Sequence, residues 1–255
     1  MRILPLKWVL HIGFVGVGSR GSLSVGILGV GAPVWEPRAA SGGLLVGPKW
    51  NQFMSETIVI FDTEQTAWEG SMQRNWALEW EHREVIQIGA LTARWNGRLW
   101  EETAHLLVWV KPERNPQLSP FIIQLTGITQ ETVDSRGLAF EEALAQLHRF
   151  AKEGQAAVYS WGPDDEVLRE NAALHGLTMP GFPAGFHDLR EVFRPFGIDV
   201  ERVSSGRLSL EFDIQMPGQE HDALFDSRSL LAALNALCDR NPAAASPLLK
   251  ASGPC

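Results

Sequence analysis

The stretch TIVIFDTE, residues 57–64, is the part of the sequence that decides the fold. A short run of β-branched and apolar residues that ends in polar ones predicts a buried β-strand. Because side chains alternate across a strand, Asp62 and Glu64 should project from the same face at its end. Two carboxylates held side by side repel each other unless a cation bridges them, and hard oxygen ligands suit Mg²⁺ or Mn²⁺. On residue type alone, however, a solvated turn is the more common explanation of such a pair.

Strands and helices alternate along the chain after this first strand. Residues 84–93 and 103–111 predict two strands, and Asn96-Gly97 between them is a strong hairpin signal, which predicts antiparallel neighbours. The elements predicted further along are a helix at 120–125, a helix at 140–151, a strand at 156–160, a helix at 163–175, a strand at 185–189 and a helix at 222–238. This order predicts an α/β domain whose sheet is covered by helices on both faces.

The first 50 residues differ from the rest in composition, with ten glycines and few charges. Residues 16–21 (GVGSRG) match the GxGxxG pattern of dinucleotide-binding proteins, but the glycines that follow would break the helix that such a site needs. The apolar run at 8–17 is compatible with a signal peptide, although the residues after it make a poor cleavage site. We therefore predict a flexible leader outside the fold at 1–54, a domain at 55–240 and a disordered tail at 241–255.

Composition limits the classes of function. The chain has 22 Lys and Arg residues against 30 Asp and Glu residues, a net charge of -8, which argues against nucleic-acid binding through bulk positive charge. No apolar run in the leader reaches the length of a membrane span, so we expect no membrane partner. The only cysteines are Cys238 and Cys255, so we expect no disulfide scaffold and no structural zinc site. We predict a reducing, cytoplasmic location.

Two more acidic sites follow later in the sequence. The segment WGPDD at 161–165 lies where the fourth strand ends and a helix begins, a place where an Asp also serves as a simple N-cap. The segment HDALFD at 221–226 opens the last helix. His221 and Asp226 are about 140° apart around a helix, so they would line adjoining walls of one pocket and not ligate one ion. Each site is weak on its own, because a His at a helix start is more often a capping or surface residue.

The order of these sites resembles the DEDDh family of 3′→5′ exonucleases, whose fold is that of ribonuclease H. The segments FDTEQTAW at 61–68 and EVIQIGA at 84–90 are similar to the first motifs of its Eri-type and KapD-like branch. The most specific similarity is VKPERNPQLSPFIIQLTGITQETVD at 110–134. The resemblance runs from about residue 58 to residue 234. It implies a ribonuclease H-like exonuclease fold with a five-stranded mixed sheet and helices on both faces.

The resemblance also implies a set of metal ligands. Carried over residue by residue, the implied ligands of two divalent ions, Mg²⁺ or Mn²⁺, are Asp62, Glu64, Asp165 and Asp226. His221 is implied as the general base, and Glu64 is counted with the catalytic residues as well as with the ligands. The third motif of the branch usually has the form W-G-x-x-D, which selects Asp165, and the adjacent Asp164 is its rival.

Substrate contacts are implied for Thr63, Thr66, Trp68, Leu125, Thr126 and Trp161. The loop LTGIT at 125–129 resembles the segment that packs on the terminal base in these enzymes, and its Gly127 is also placed to end a helix. The stretch 65–83 is longer than in many relatives and rich in Trp. Either its rings stack on bases or they cover an exposed part of the fold. The nucleic-acid-binding domain that some Eri-type enzymes carry has no counterpart in this sequence.

The sequence therefore predicts a metal-dependent 3′→5′ exonuclease that releases nucleoside 5′-monophosphates. Its expected partners are the 3′ ends of single-stranded RNA or DNA, with RNA favoured because of the branch resemblance. Two alternatives stay open: a DNA proofreading or repair exonuclease subunit, and a regulatory interaction protein of KapD type that keeps the fold without turnover. All the acidic ligands of the motif are present, whereas a degenerate enzyme is expected to have lost at least one.

Overall fold

A computed structural model describes residues 57–251 of the chain. Its strands are β1 (Thr57–Gln65), β2 (Val85–Trp95), β3 (Trp100–Trp109), β4 (Ala157–Ser160) and β5 (Phe186–Asp188). They form one mixed sheet in the order β3-β2-β1-β4-β5, in which β1 to β3 are antiparallel and β4 and β5 run parallel to β1. The predicted fold class and the predicted hairpin between β2 and β3 are confirmed. The leader predicted at 1–54 lies outside the described residues and stays a prediction.

Helices cover both faces of this sheet. They are α1 (Pro120–Thr126), α2 (Gln130–Arg136), α3 (Phe140–Phe150), α4 (Asp164–Leu174), α5 (Arg190–Phe193), α6 (Ala223–Arg240) and α7 (Ser246–Ala251), with 3-10 helices at Arg194–Phe196, Ser205–Phe212 and Pro242–Ala245. The sequence pattern of α1 explains its limits. Ser119 caps its first turn by accepting the backbone N–H of Ile122, and Gly127 ends it with a left-handed φ of 74°. None of these helices is both long enough and apolar enough to span a membrane.

The alternation of side chains along β1 divides the core into two halves. Ile58 and Ile60 pack in a cluster with α6 and the 3-10 helix Ser205–Phe212. Val59 and Phe61, which point the other way, pack with α3 and α4. The same alternation turns Asp62 and Glu64, at the end of the strand, toward the α6 side.

Gly89 lets α6 approach the sheet at this end. It pairs with Asp62 across β1 and β2, and a Cβ atom at this position would overlap the backbone of Ala223 and Leu224. The first turn of α6 therefore rests directly on β2, one strand away from Asp62.

Glu84 fixes the connection between β3 and α1. This side chain is 1% exposed, and its carboxylate accepts hydrogen bonds from the backbone N–H groups of Glu113, Arg114 and Asn115 at 2.7, 2.9 and 2.6 Å. The loop therefore obtains from a side chain the hydrogen bonds that a neighbouring strand would otherwise supply.

The prediction of a disordered tail is wrong for residues 242–251. They form a 3-10 helix and α7, and Ala244, Ala245 and Leu248 are buried in the same cluster as the inner side of α6. The Ala and Pro content of this segment is typical of a disordered tail, but burial of three apolar side chains offsets the conformational entropy lost on ordering it. The last four residues, 252–255, lie outside the described part.

We expect Leu248→Ala to lower the free energy of unfolding by about 2–5 kcal/mol, because it removes a fully buried side chain. The matched control is Leu210→Ala, whose side chain is 40% exposed, with an expected change within about 0.5 kcal/mol. Urea denaturation of the two variants measures the difference, and equal stabilities would contradict the packed C-terminal helix.

Candidate active site

The carboxyl ends of β1 and β4 meet at one edge of the sheet, because these strands are parallel neighbours. Asp62 and Glu64 lie at the end of β1, and Asp164 is the first residue of α4, which follows β4. Asp226 reaches the same edge from the first turn of α6. The three motifs that the sequence predicts to form one site therefore come together.

The third motif contributes Asp164 to this cluster, and Asp165 lies apart from it. The hydroxyl of Thr63 donates a 2.6 Å hydrogen bond to Asp164 Oδ1. Asp165 forms a 3.4 Å ion pair with Arg169 one helical turn later. Adjacent helix residues point about 100° apart, so the phase of α4 decides which Asp faces β1. The preference for Asp165 that the motif spacing suggests disagrees with this placement, and Asp164 takes its place as the proposed ligand.

The 3-10 helix Ser205–Phe212 contacts the carboxylate of Asp226 and restrains it. The hydroxyl of Ser205 donates a 3.0 Å hydrogen bond to Asp226 Oδ2. Gly206 lies so close that a Cβ atom there would overlap the carboxylate. The other oxygen, Asp226 Oδ1, is buried and has no hydrogen-bond partner among the described residues. A buried carboxylate oxygen without a donor is unfavourable unless a cation or a water satisfies it.

His221 precedes α6 and is not part of it. The helix is capped by Asp222, whose Oδ1 accepts the backbone N–H of Phe225 at 2.9 Å, and His221 has a left-handed φ of 64°. The angle of about 140° between His221 and Asp226 that the sequence suggests does not apply, because only Asp226 lies in the helix. One ring nitrogen of His221 and one carboxylate oxygen each of Glu64 and Asp226 lie within 4.8 Å of one another.

Burial and mutual repulsion raise the pKa of the carboxyl groups in the cluster. For Asp62 and Glu64 burial is the largest cause, and the charges of Asp164 and Asp226 raise both pKa values further. Burial raises the pKa of Asp164 to about 6, against the lowering effect of the hydrogen bond from Thr63. Burial likewise raises the pKa of Asp226 to about 7, against the hydrogen bond from Ser205. Burial lowers the pKa of His221, which favours its neutral ring.

This donor set fits hard divalent cations. The cluster consists of carboxylate oxygens, with a buried oxygen of Asp226 that lacks any partner among residues 57–251. Carboxylate and water oxygens suit Mg²⁺ and Mn²⁺, and cations would remove the repulsion that raises the pKa values. His221 is close enough to act either as a ligand or as an acid–base group.

The residues predicted to contact substrate fall into two groups. Thr66 and Trp161 have structural partners: the Thr66 hydroxyl donates to the His82 carbonyl and accepts the Glu84 N–H. The Trp161 indole donates to the Val203 carbonyl. Their polar groups are thus engaged within the protein, as are the hydroxyls of Thr63 and Thr126. The second group, Trp68 and Leu125, offers apolar surface, and all six residues stay predicted substrate contacts.

The tryptophans of the stretch 65–83 differ in whether they cover the fold or are free to stack on bases. Trp76 packs against the fold: its indole donates to the Thr66 carbonyl at 2.8 Å, and the Arg83 guanidinium lies 5.1 Å from its ring centre. Trp68 and Trp80 meet edge to face at 4.8 Å, and Trp80 is 52% exposed. The packing interpretation therefore holds for Trp76, whereas Trp80 presents its ring to solvent.

Sequence reasoning missed the residues that hold the ligands in place. Ser205 and Gly206 precede an alternating run, Leu208, Leu210 and Phe212, whose period of two is typical of a strand, whereas the structure forms a 3-10 helix there beneath Asp226. Gln87 was visible in EVIQIGA, and its role becomes clear from two contacts. Its Oε1 accepts the backbone N–H of Ala223 at 2.9 Å, and its Nε2 donates to Asp222 Oδ2 at 3.4 Å. Gln87 thus fixes the segment that carries His221.

Comparison with known proteins places an exonuclease domain over the same part of the sequence. The exonuclease family model RNase_T matches residues 59–234. ERI1 exoribonuclease 2 of Xenopus laevis is 26% identical over 75% of this chain and 30% of its own length. The 3′-5′ exonuclease Snipper of Drosophila melanogaster is 24% identical over 69% of this chain and 67% of its own. The chain spans about a third of the length of the ERI1 exoribonuclease 2 relatives.

Solved structures share the fold. The nuclease domain of 3′hExo, described as a DEDDh family member bound to rAMP, has a TM-score of 0.63 and 22% identity. The similarity covers 74% of this chain and 94% of that domain. An E. coli ExoI–ssDNA complex has a TM-score of 0.55 and 17% identity, over 77% of this chain and 43% of that one.

We expect Asp164→Asn to weaken Mn²⁺ binding at least about 10-fold, because it removes one charge from the ligand cluster. Asp165→Asn changes the same chemistry one residue later and should leave the affinity within about 2-fold, since Asp165 pairs with Arg169. Isothermal titration calorimetry of both variants checks this. A loss of affinity confined to Asp165→Asn would restore the assignment that the motif spacing suggests.

Without metal, the stability of the protein should fall as pH rises from about 5.5 to 8. The folded-state pKa of Asp226 is about 7 against an ordinary 3.8. The folded protein therefore binds a proton more tightly than the unfolded chain, and this contribution is lost as pH rises through 7. For Asp226 alone the loss is about 2 kcal/mol over this range. His221 acts in the opposite direction, because its pKa is lowered.

The measurement is urea denaturation in EDTA at both pH values, for the wild type and for Asp226→Asn. The difference between the two proteins isolates the Asp226 contribution, and Asp226→Asn should lose less stability with rising pH. Added Mn²⁺ should reverse the trend in the wild type. Equal losses of stability between pH 5.5 and 8 in the wild type and in Asp226→Asn, without metal, would contradict the raised pKa.

Proposed function

Because the chain belongs to the exonuclease family whose model matches residues 59–234, we propose that it removes nucleotides from the 3′ end of single-stranded nucleic acid. We propose RNA as the favoured substrate and nucleoside 5′-monophosphates as the products. The observation that carries this proposal is the convergence of Asp62, Glu64, Asp164, Asp226 and His221 at one edge of the sheet. An acidic cluster can hold the divalent ions of a two-metal phosphodiester hydrolysis, and a neighbouring histidine can serve as its base.

The proposed cofactor is a pair of divalent ions, Mg²⁺ or Mn²⁺. Asp62, Glu64, Asp164 and Asp226 would hold them, and the partnerless oxygen of Asp226 supports this assignment. Bound ions supply the positive charge with which a protein of net charge -8 can hold a phosphodiester. The hydroxyls of Thr63 and Ser205 orient the carboxylates of Asp164 and Asp226.

His221 is the proposed general base. Burial lowers its pKa, so the neutral ring has a free nitrogen near physiological pH. That nitrogen takes the proton of the attacking water while the new oxygen–phosphorus bond forms. The bond from phosphorus to the 3′ oxygen of the preceding nucleotide breaks, and this oxygen leaves with the shortened strand and takes a proton from solvent. The terminal nucleotide departs with a 5′-phosphate, and the proton on His221 passes to solvent.

The preference for RNA rests on the relatives. Several relatives that it matches are named exoribonucleases, whereas a solved structure of the same fold contains single-stranded DNA. A cytoplasmic location belongs to the same proposal and rests on the low cysteine content.

The test is hydrolysis of 5′-labelled single-stranded RNA and DNA of one sequence, with Mg²⁺, Mn²⁺ or EDTA. We expect a ladder of products shortened from the 3′ end, faster on RNA, and no products in EDTA. His221→Ala should lower kcat by about 10²- to 10⁴-fold, the usual size of a general-base contribution. His105→Ala is the matched control, because His105 lies on β3 with a side chain 53% exposed and paired with Glu102.

Each alternative predicts a different result. Faster hydrolysis of DNA would support a DNA repair or proofreading role. A folded wild type that binds Mn²⁺ but leaves both oligomers intact would support the regulatory interaction protein. Near-normal turnover of His221→Ala, with the pH profile of the wild type, would overturn the assignment of the base.

A further inference from the structure

A groove of about 520 Å³ lies beside the metal-ligand cluster, on the far side of the LTGIT loop segment 126–128 that lines it. Its floor includes Gln87 and Trp109, and its walls are the end of α2, the loop after α1 and the segment 217–222. We call it the Trp109 groove. Its volume is in the range of pockets that hold a small organic ligand or one nucleotide.

The position of the groove follows from the register of the sheet. Glu64 of β1 pairs with Gln87 of β2, and Gln87 pairs with Trp109 of β3. These three residues form one row across adjacent strands, so their side chains lie on the same face. Neighbouring strands are about 4.8 Å apart, which places Trp109 about 10 Å from the ligand Glu64. The groove therefore begins one strand away from the cluster and leads away from it.

The outer end of the groove carries a stacked cation. The Arg136 guanidinium lies 3.9 Å from the ring centre of Trp109, and Arg136 forms no ion pair with any residue in 57–251. The second cation of the groove, Arg228, is already bound by Glu102 through two hydrogen bonds of 3.0 and 2.8 Å. Arg136 is therefore the group that is available to an anion, and its planar guanidinium also offers a surface on which a base can stack.

The inner end of the groove is shared with the loop LTGIT. Gln219 donates a 3.0 Å hydrogen bond to the Thr126 carbonyl, and the Phe225 ring packs on Gly218 so closely that a Cβ atom there would overlap it. The segment that ends in His221 is thus tied to the loop on one side and to Gln87 on the other. The groove is consequently formed before any ligand arrives.

We propose that the Trp109 groove binds a nucleotide on the 5′ side of the one that is removed, in a single-stranded substrate. Arg136 contacts the phosphate or stacks with the base, and Trp109 supports the guanidinium from below. The inference rests on the proposed exonuclease function for the direction of the strand. It adds a second point of attachment, distinct from the metal-ligand cluster.

Charge is the reason for choosing a nucleic-acid strand as the occupant. The chain has a net charge of -8. The Arg136 guanidinium, which has no ion pair among the described residues and stacks on Trp109, is therefore a positive group in an acidic protein, and it lies beside the proposed phosphodiester site. Arginine and aromatic faces together are the recurring surface for single-stranded nucleic acid, because the cation takes a phosphate and the planar groups take a base.

The experiment measures binding of single-stranded RNA of about ten nucleotides by fluorescence anisotropy. It uses the full chain with His221→Ala and Mn²⁺, so that turnover is slow. In this background Arg136→Ala should raise Kd by about 10-fold, the effect of losing one stacked or charged contact. If Arg136 contacts a phosphate, the slope of log K against log salt should fall by about 0.7. Arg136→Lys should keep the slope and lose part of the affinity.

The matched control is Arg149→Ala, which removes the same charge from an exposed position on α3, on the other side of the sheet. It should leave Kd and slope unchanged. A nucleoside 5′-monophosphate, used as competitor, has no second nucleotide and should bind both proteins equally. Equal effects of Arg136→Ala and Arg149→Ala, or no effect of either, would overturn the proposal.

The results distinguish failure of the proposal for the Trp109 groove from failure of the exonuclease proposal. A wild type that hydrolyses RNA, with Arg136→Ala binding as tightly as its background, rejects the groove alone. A wild type without hydrolysis, with RNA binding that still depends on Arg136, rejects the exonuclease proposal and keeps the groove as a strand-binding surface.

Discussion

Burial of four like-charged groups, the carboxylates of Asp62, Glu64, Asp164 and Asp226, is the constraint on which the rest of the structure depends. Burial and like charge raise the pKa of every one of them. A chain that keeps such a group together needs strong restraint from its surroundings. The restraint comes from neutral donors, the hydroxyls of Thr63 and Ser205, and from close backbone packing at Gly89 and Gly206.

Helix ends contribute to the same restraint. Asp164 is the first residue of α4, and Asp226 lies in the first turn of α6. The positive end of a helix dipole favours a carboxylate within its first turn. The parallel pairing of β1 and β4 brings the start of α4 beside Asp62, and Gly89 brings the start of α6 to the same place. The order of the strands in the sheet therefore brings the first turns of α4 and α6 next to the acidic end of β1.

The sequence carried most of the fold and the chain order of the ligands, because apolar periodicity and acidic motifs are local signals. The sequence did not predict the exact residues at which the helices begin, and these decide which side chains face the site. The choice between Asp164 and Asp165 depends on where α4 begins, and the relation of His221 to Asp226 depends on where α6 begins. Ser205 and Gly206 could not be predicted for another reason, since their role exists only once the 3-10 helix Ser205–Phe212 packs against α6. The C-terminal helix was not predicted because its small residues are buried by tertiary packing, which composition does not reveal.

The carboxylate of Glu84 has a consequence for the dynamics of the molecule. The amide protons of Glu113, Arg114 and Asn115 belong to a surface loop, yet all three are bonded to a buried side chain at the start of β2. Their hydrogen exchange is thereby coupled to the opening of the sheet, as it is for amides within a strand. The loop leads directly into α1 and the LTGIT segment, so we expect the start of the chain segment that faces the Trp109 groove to open together with the central sheet.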